Sequence, residues 1–210
     1  MKRLCVIGSL NVDLVTSVDR FPKVGESIFT KSFEIFTGGK GANQAFALGR
    51  LEADVLMVGK TGDTFYGPQY VETLKKNNVN CDGVRIEKNT FPGAAIVAVD
   101  KDGNNSLFVY PGANAMVSVD YVKEKWDLIA ARDIFLFQLE IPLETNLYAM
   151  KRLKEAGKCI IFDPAPAKEL PGEIYGYADY ITPNETELES LSGLTIRDEE
   201  DIRKAAHVLI

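Results

Sequence analysis

Short apolar runs alternate with amphipathic segments along almost the whole chain, and this alternation constrains the fold more than any other feature. Leu4–Gly8, Val55–Gly59, Asp133–Phe137, Cys159–Asp163 and Ala178–Thr182 are compact and apolar, the pattern of strands buried on both faces. Between them Asn43–Arg50, Tyr66–Asn77, Ser118–Ala131, Leu143–Glu155 and Asn184–Leu191 carry helical spacing. Strand–helix alternation predicts a mostly parallel central sheet with right-handed crossovers and helices on both faces, an α/β three-layer sandwich. Ligands of such sheets sit beyond the C-terminal ends of the strands.

Two stretches depart from the alternation. Glu26–Phe36 and Ala94–Tyr110 lack helical periodicity and are rich in Ile, Val, Phe, Thr and Tyr, and the second turns back on itself at Asp102-Gly103. They predict antiparallel strands forming a small β-sheet lid beside the main sheet, drawn from about 14–36 and 93–110. No repeat or low-complexity linker divides the chain, so 1–210 reads as one domain. At its far end Ile202, Ala205, Ala206, Leu209 and Ile210 keep helical spacing with neither a cap nor a following strand. The expectation is a fold truncated at its C-terminus.

Composition narrows the function. A net charge of −6 opposes a nucleic-acid role, because phosphate contacts need a basic surface. No run approaches the ~18 apolar residues of a membrane span, and Leu4–Ile7 after Met1-Lys2-Arg3 is too short for a secretion signal. The expected location is cytoplasmic. Cys5, Cys81 and Cys159 form no CxxC pair and indicate neither a disulfide frame nor a zinc site. His207 is the sole histidine, which excludes hydrolase triads and zinc sites built on several histidines.

The candidate chemistry lies in four places. Gly38-Gly39-Lys40-Gly41-Ala42-Asn43-Gln44-Ala45 places a bare backbone turn at the start of a helix, where unpaired N–H groups and a partial positive charge receive a polar or anionic ligand. It is not a Walker A loop, since Gly41 follows Lys40, nor a GxGxxG fingerprint, since Gln44 stands where the last glycine should be. Asn11 and Asp13 follow the first strand at alternate positions and point the same way if the segment is extended. An amide beside a carboxylate suits a sugar diol, although an Asx turn leaving the strand explains the pair equally well. Glu140 ends another strand at the binding edge, where a surface carboxylate preceding a helix is the competing explanation. Asn184 and Glu187, three apart at a helix start, either order water around a phosphate-held Mg²⁺ or form a capping box.

These blocks, taken in order with Pro111-Gly112-Ala113-Asn114-Ala115, Asp163-Pro164-Ala165-Pro166-Ala167 and Thr182-Pro183-Asn184-Glu185, resemble the ribokinase branch of the PfkB carbohydrate kinases over essentially all 210 residues. The resemblance implies a Rossmann-like fold with a β lid that closes over the sugar and commonly forms a homodimer contact. It implies an ATP-dependent kinase that phosphorylates the primary O5 hydroxyl of D-ribose. By it, Asn11, Asp13, Gly39, Lys40, Gly41, Asn43 and Glu140 bind the sugar, Asn184 lies by the nucleotide phosphates, and Glu187 is associated with Mg²⁺ through water. One departure stands out. The family's second signature, Gly-Ala-Gly-Asp, does not occur in these residues. With it go the general-base aspartate, expected beyond Ile210, and the loop that would bind K⁺. The chain alone is therefore expected to bind sugar without turnover. Alternatives are a non-catalytic sugar-binding or regulatory relic, a kinase for another furanose or a nucleoside, and a nicotinamide-dependent dehydrogenase, which lacks its glycine loop here.

Overall fold

The computed structural model describes residues 2–209, so Ile210 of the terminal apolar pattern lies outside them. Six strands form the main sheet: β1 (Leu4–Ile7), β4 (Val55–Gly62), β5 (Val79–Glu87), β8 (Ile134–Phe137), β9 (Cys159–Phe162) and β10 (Tyr180–Ile181). Their order is β10-β9-β8-β1-β4-β5, and every neighbouring pair is parallel. Side chains alternate across each strand, so one sequence feeds two cores. Cys5, Ile7, Leu56, Val58, Phe135, Phe137, Ile160 and Phe162 face one side. They are covered by α3 (Val119–Glu124), α4 (Trp126–Ala130), α5 (Leu143–Glu155) and α6 (Glu173–Tyr177). Val6, Val55, Met57 and Val79 face the other side and meet α1 (Lys40–Arg50) and α2 (Gly67–Lys76) through Ala42, Ala45, Tyr70, Val71 and Leu74. Each such large side chain, fully buried, contributes roughly 1.5–3 kcal/mol relative to exposure. The last helices, α7 (Glu185–Ser192) and α8 (Glu199–Val208), close on a smaller core of Leu188, Ala205 and Leu209.

The lid is a second sheet of four strands, β2 (Asn11–Ser17), β3 (Ser32–Gly38), β6 (Gly93–Val99) and β7 (Asn105–Tyr110), in the order β3-β2-β6-β7. Only Gly8, Ser9 and Leu10 separate β1 from β2, so the lid grows directly from the C-terminal end of a central strand. The hairpin between β6 and β7 turns where Gly103 has φ +84°, and the Asp100 carboxylate accepts the N–H groups of Asp102 and Asn104.

Several elements differ from the sequence expectation. β2 pairs with β3 antiparallel but with β6 parallel, so the lid is a mixed sheet. β5 was not expected, because Asn80 and Asp82 interrupt its apolar residues; its first half alternates buried and exposed, as an edge strand pairing with β4 does. The helical stretch 118–131 splits at Lys125, whose ψ of 6° breaks the helical geometry between α3 and α4. α1 starts at Lys40 rather than Asn43, immediately after the turn at Gly39. Among the described residues no helix is long and apolar enough to cross a membrane.

Candidate functional site

The site collects at the C-terminal edge of the main sheet, where β1 runs into the lid. Ser9 lies fully buried there and donates its hydroxyl to Glu140 Oε2 at 2.5 Å. The same carboxylate oxygen accepts the Lys40 backbone N–H at 2.8 Å, and Gly41 N–H donates to Ser9 Oγ at 3.2 Å. The start of α1 therefore holds Glu140 directly through the Lys40 N–H and indirectly through Gly41 and Ser9, as helix N-termini hold anions. These bonds occupy Oε2 of Glu140 and leave Oε1 for other partners.

Two glycines make the turn feasible. Gly39 adopts φ +88°, and a Cβ there would stand 2.7 Å from the Asn11 backbone nitrogen. A Cβ on Gly38 would run into the Asp13 carboxylate. The lid register sets Asn11 opposite Gly38 and Gly93, and Asp13 opposite Phe36 and Ala95. Asn11, Asp13, Ala95 and Val97 thus share one sheet face, the arrangement expected from alternate positions on an extended segment. Tyr70 reaches the turn from α2 and donates its hydroxyl to the Gly38 carbonyl. Burial, then the charges of Asp13 and Glu140, hold its phenol well above the usual range.

Electrostatics connect the two carboxylates. Burial and, secondly, the neighbouring charge of Glu140 push the Asp13 carboxyl above its ordinary value. Asp13 Oδ1 is buried with no hydrogen-bond partner among the described residues. A desolvated acceptor of this kind is costly unless a donor reaches it. A sugar hydroxyl is such a donor.

A second group lies at the end of β9. Gln138 Nε2 donates to Gln44 Oε1 at 2.5 Å, and Gln44 Nε2 in turn lies 3.4 Å from Asp163 Oδ2. Burial raises the Asp163 pKa, Lys40 opposes that shift, and Glu187 and Glu140 add to it. Glu187 is nearly buried and completes a capping box with Asn184: Glu187 N–H donates to Asn184 Oδ1 at 2.8 Å, and Asn184 N–H to Glu187 Oε2 at 2.9 Å. Glu187 Oε1 stays uncommitted by this cap.

The expected residues are thus partly brought together. Asn11, Asp13, Gly39, Lys40, Gly41 and Glu140 share one edge of the molecule through the bonds and register above. Lys40 joins them by its backbone, whereas its ammonium acts on Asp163. Asn43 is exposed on α1 and lines a small groove with Thr37, Phe46, Arg50, Thr73 and Asn77. Asn184 and Glu187 stand on α7, linked to the rest through the charge of Asp163. Sequence reasoning did not single out Ser9, Gln138, Tyr70 or the role of Asn114. Ser9 and Asn114 lie inside the blocks Gly8–Asp13 and Pro111–Ala115 that carry the family resemblance, which were the available signal.

Comparison with known proteins bears on this arrangement. The sequence matches the pfkB family carbohydrate kinase over residues 1–210. It is 42% identical over 187 residues to the ribokinase of Bacillus subtilis, covering 89% of this chain and 64% of that protein. It is 41% identical over 201 residues to the bifunctional ribokinase/ribose-5-phosphate isomerase A of Fructilactobacillus sanfranciscensis, covering 95% of this chain and 37% of that protein. The chain therefore spans less than two thirds of the length of either of these curated relatives. The structure of Arabidopsis thaliana ribokinase complexed with ribose and ATP superposes with a TM-score of 0.89 at 33% identity, over 99% of this chain and 68% of that one.

Proposed function

We infer the function of this chain from its family: it belongs to the pfkB carbohydrate kinases, and residues 1–210 form the sugar-binding part of a kinase that transfers phosphate from ATP to the primary O5 hydroxyl of D-ribose. The observation that carries the reading is the buried, unpartnered Asp13 Oδ1 facing the same edge as Glu140. Two carboxylates accept hydroxyl protons, Asn11 contributes its amide, and the backbone of Gly39–Gly41 lets the ring approach closely. Lys40 joins this set of sugar contacts through its backbone, and Asn43 joins it by turning its side chain out of the groove it lines with Thr37 and Phe46. The complex of the Arabidopsis relative with ribose and ATP supports both substrates.

Nucleotide phosphates take the neighbouring position, beside Asn184 at the start of α7. Among the described residues no cluster of three or more His, Cys, Asp or Glu could hold a metal ion directly. Glu187, with one oxygen in the cap and the other uncommitted, fits a Mg²⁺ held mainly by phosphates and reached through water. The ion, when bound, neutralises charge on the phosphates during transfer. Residues 1–210 bind and orient the sugar; none of them is assigned the proton transfer, and a K⁺ site is not placed among them. The protein works in the cytoplasm as a homodimer joined through its lid.

Calorimetric titration of the 210-residue chain with D-ribose tests this reading. Saturable heat with ribose, lost in D13N, is the expected result. No heat with ribose, or heat unchanged in D13N, overturns it. Titration with 2-deoxyribose and with a nucleoside separates ribose from the other furanose substrates. A coupled assay of ADP release is expected to stay at background, and robust ribose-dependent turnover would place a general base within these residues.

A further inference from the structure

Beneath Asn11 lies a residue that decides which way its amide faces. Leu10 donates its backbone N–H to Asn114 Oδ1 at 2.9 Å. A backbone N–H can only donate, so this contact identifies the oxygen of the Asn114 amide. Its Nδ2 must then point the other way, where it stands 2.7 Å from Asn11 and 3.4 Å from the Leu10 carbonyl. An NH₂ group needs an acceptor, so the near atom of Asn11 is Oδ1. With Oδ1 turned toward Asn114, the end of the Asn11 amide left for the pocket is Nδ2, an N–H donor.

The pair is well shielded from rearrangement. Asn114 is 1% exposed and Asn11 4%, so a flipped amide would leave like groups facing each other without water. Asn114 sits in the 3-10 turn Gly112–Met116, where Ala113 N–H donates to the Phe91 carbonyl and Asn114 N–H to the Pro111 carbonyl, each at 3.0 Å. Gly93 leaves the room they need, since a Cβ there would collide with both amides.

We propose that Asn114 is a positioning residue that holds Asn11 as a pure hydrogen-bond donor to a sugar hydroxyl. This rests on the reading of Asn11, Asp13 and Glu140 as the sugar site. A hydroxyl has one proton. Once that proton goes to Asp13 or Glu140, only oxygen lone pairs remain, and they need a donor. With the Asn11 amide reversed, the hydroxyl would meet acceptors on both sides with a single proton to share.

Two measurements on the 210-residue chain test this. In labelled wild-type protein, scalar couplings through the hydrogen bonds are expected from the Leu10 amide nitrogen to Asn114 Cγ and from Asn114 Nδ2 to Asn11 Cγ. A coupling from Asn11 Nδ2 to Asn114 Cγ overturns the assignment, whether or not any sugar binds. The second measurement is D-ribose affinity by calorimetry in N114D and N114A. N114D keeps an acceptor for Leu10 but removes the donor to Asn11 and turns that amide round; N114A leaves it free to donate. Affinity in N114D is expected to fall at least about tenfold and to lie below that of N114A. N114D within about threefold of wild type, or tighter than N114A, overturns the role, because a purely structural residue would suffer more from alanine. If wild-type protein binds no ribose while the couplings run as expected, the sugar reading fails and the polarity of Asn11 stands.

Discussion

The floor of the site and the lid beside it are built differently. On the floor, Ser9, Gln138 and Asn114 are buried, and Glu140 is fixed by two hydrogen bonds to one oxygen. In the lid, Phe33, Phe108, Val109 and Tyr110 are each more than half exposed. The floor is prearranged: its polar groups are oriented by buried partners before any ligand arrives, which reduces the ordering cost of binding. The lid leaves large apolar side chains in water, so its energetics depend on what later covers it. Affinity for sugar should therefore respond to substitutions in the floor, and association should respond to substitutions in the lid.

The largest effect is expected at Asp13, where floor and lid meet. D13N keeps the shape but replaces a charged acceptor, and ribose affinity should fall by about a hundredfold, in line with ~1.5–3 kcal/mol for a hydrogen bond to a charged group. The same change should stabilise the fold. Burial and Glu140 raise the Asp13 pKa in the folded state, so its protonated form favours folding. That contribution is fully present below the unfolded value and is lost as pH rises through the raised one. At pH 7 D13N is expected to melt above wild type, with the gap closing as pH falls toward the ordinary carboxylate range. A lower midpoint for D13N at pH 7 would mean that the carboxylate holds the lid in place rather than straining it.

Next in size is the turn between them. G39A forces a Cβ residue to φ +88° and sets it 2.7 Å from the Asn11 nitrogen, and strain of this kind costs about 1–3 kcal/mol. Urea denaturation should show a lower midpoint with an unchanged slope. S9A comes after it. Glu140 loses one of two donors and the Gly41 N–H loses its acceptor, so ribose affinity is expected to drop about tenfold. A drop in stability with unchanged affinity would mark Ser9 as packing only.

Much of the floor was legible in the sequence, and its limits are physical. Asn11 and Asp13 follow the end of β1 and Glu140 follows the end of β8, the edge where the alternation alone places ligands, so their convergence followed from the strand assignments. The part Ser9 plays did not follow, because its partner is 131 residues away and only the folded sheet brings β1 and β8 together. Asn114 is 104 residues from Leu10 for the same reason. The capping box of Asn184 and Glu187 was readable, being local, and the structure forms it. In the lid, the hairpin at Asp102-Gly103 was readable from its turn residues. The parallel pairing of β2 with β6 was not, since register across a long separation leaves no local signature.

The smallest effect on folding, and the sharpest contrast with the floor, is expected in the lid itself. Phe108 is 72% exposed and stands directly across from Ile96, itself more than half exposed. Replacing it with serine removes little burial within one chain, so F108S should change thermal stability at high dilution by under about 0.5 kcal/mol. If lids pair in solution, that same side chain becomes buried between copies and its loss should move the monomer–dimer equilibrium toward monomer by roughly tenfold or more, since burying a large apolar side chain contributes about 1.5–3 kcal/mol. Sedimentation equilibrium on F108S and wild type reads that shift directly. A dimer of unchanged strength would assign the exposed lid face to some other covering; with the shift, ribose affinity in the F108S monomer tells whether the floor binds sugar without help from a second chain.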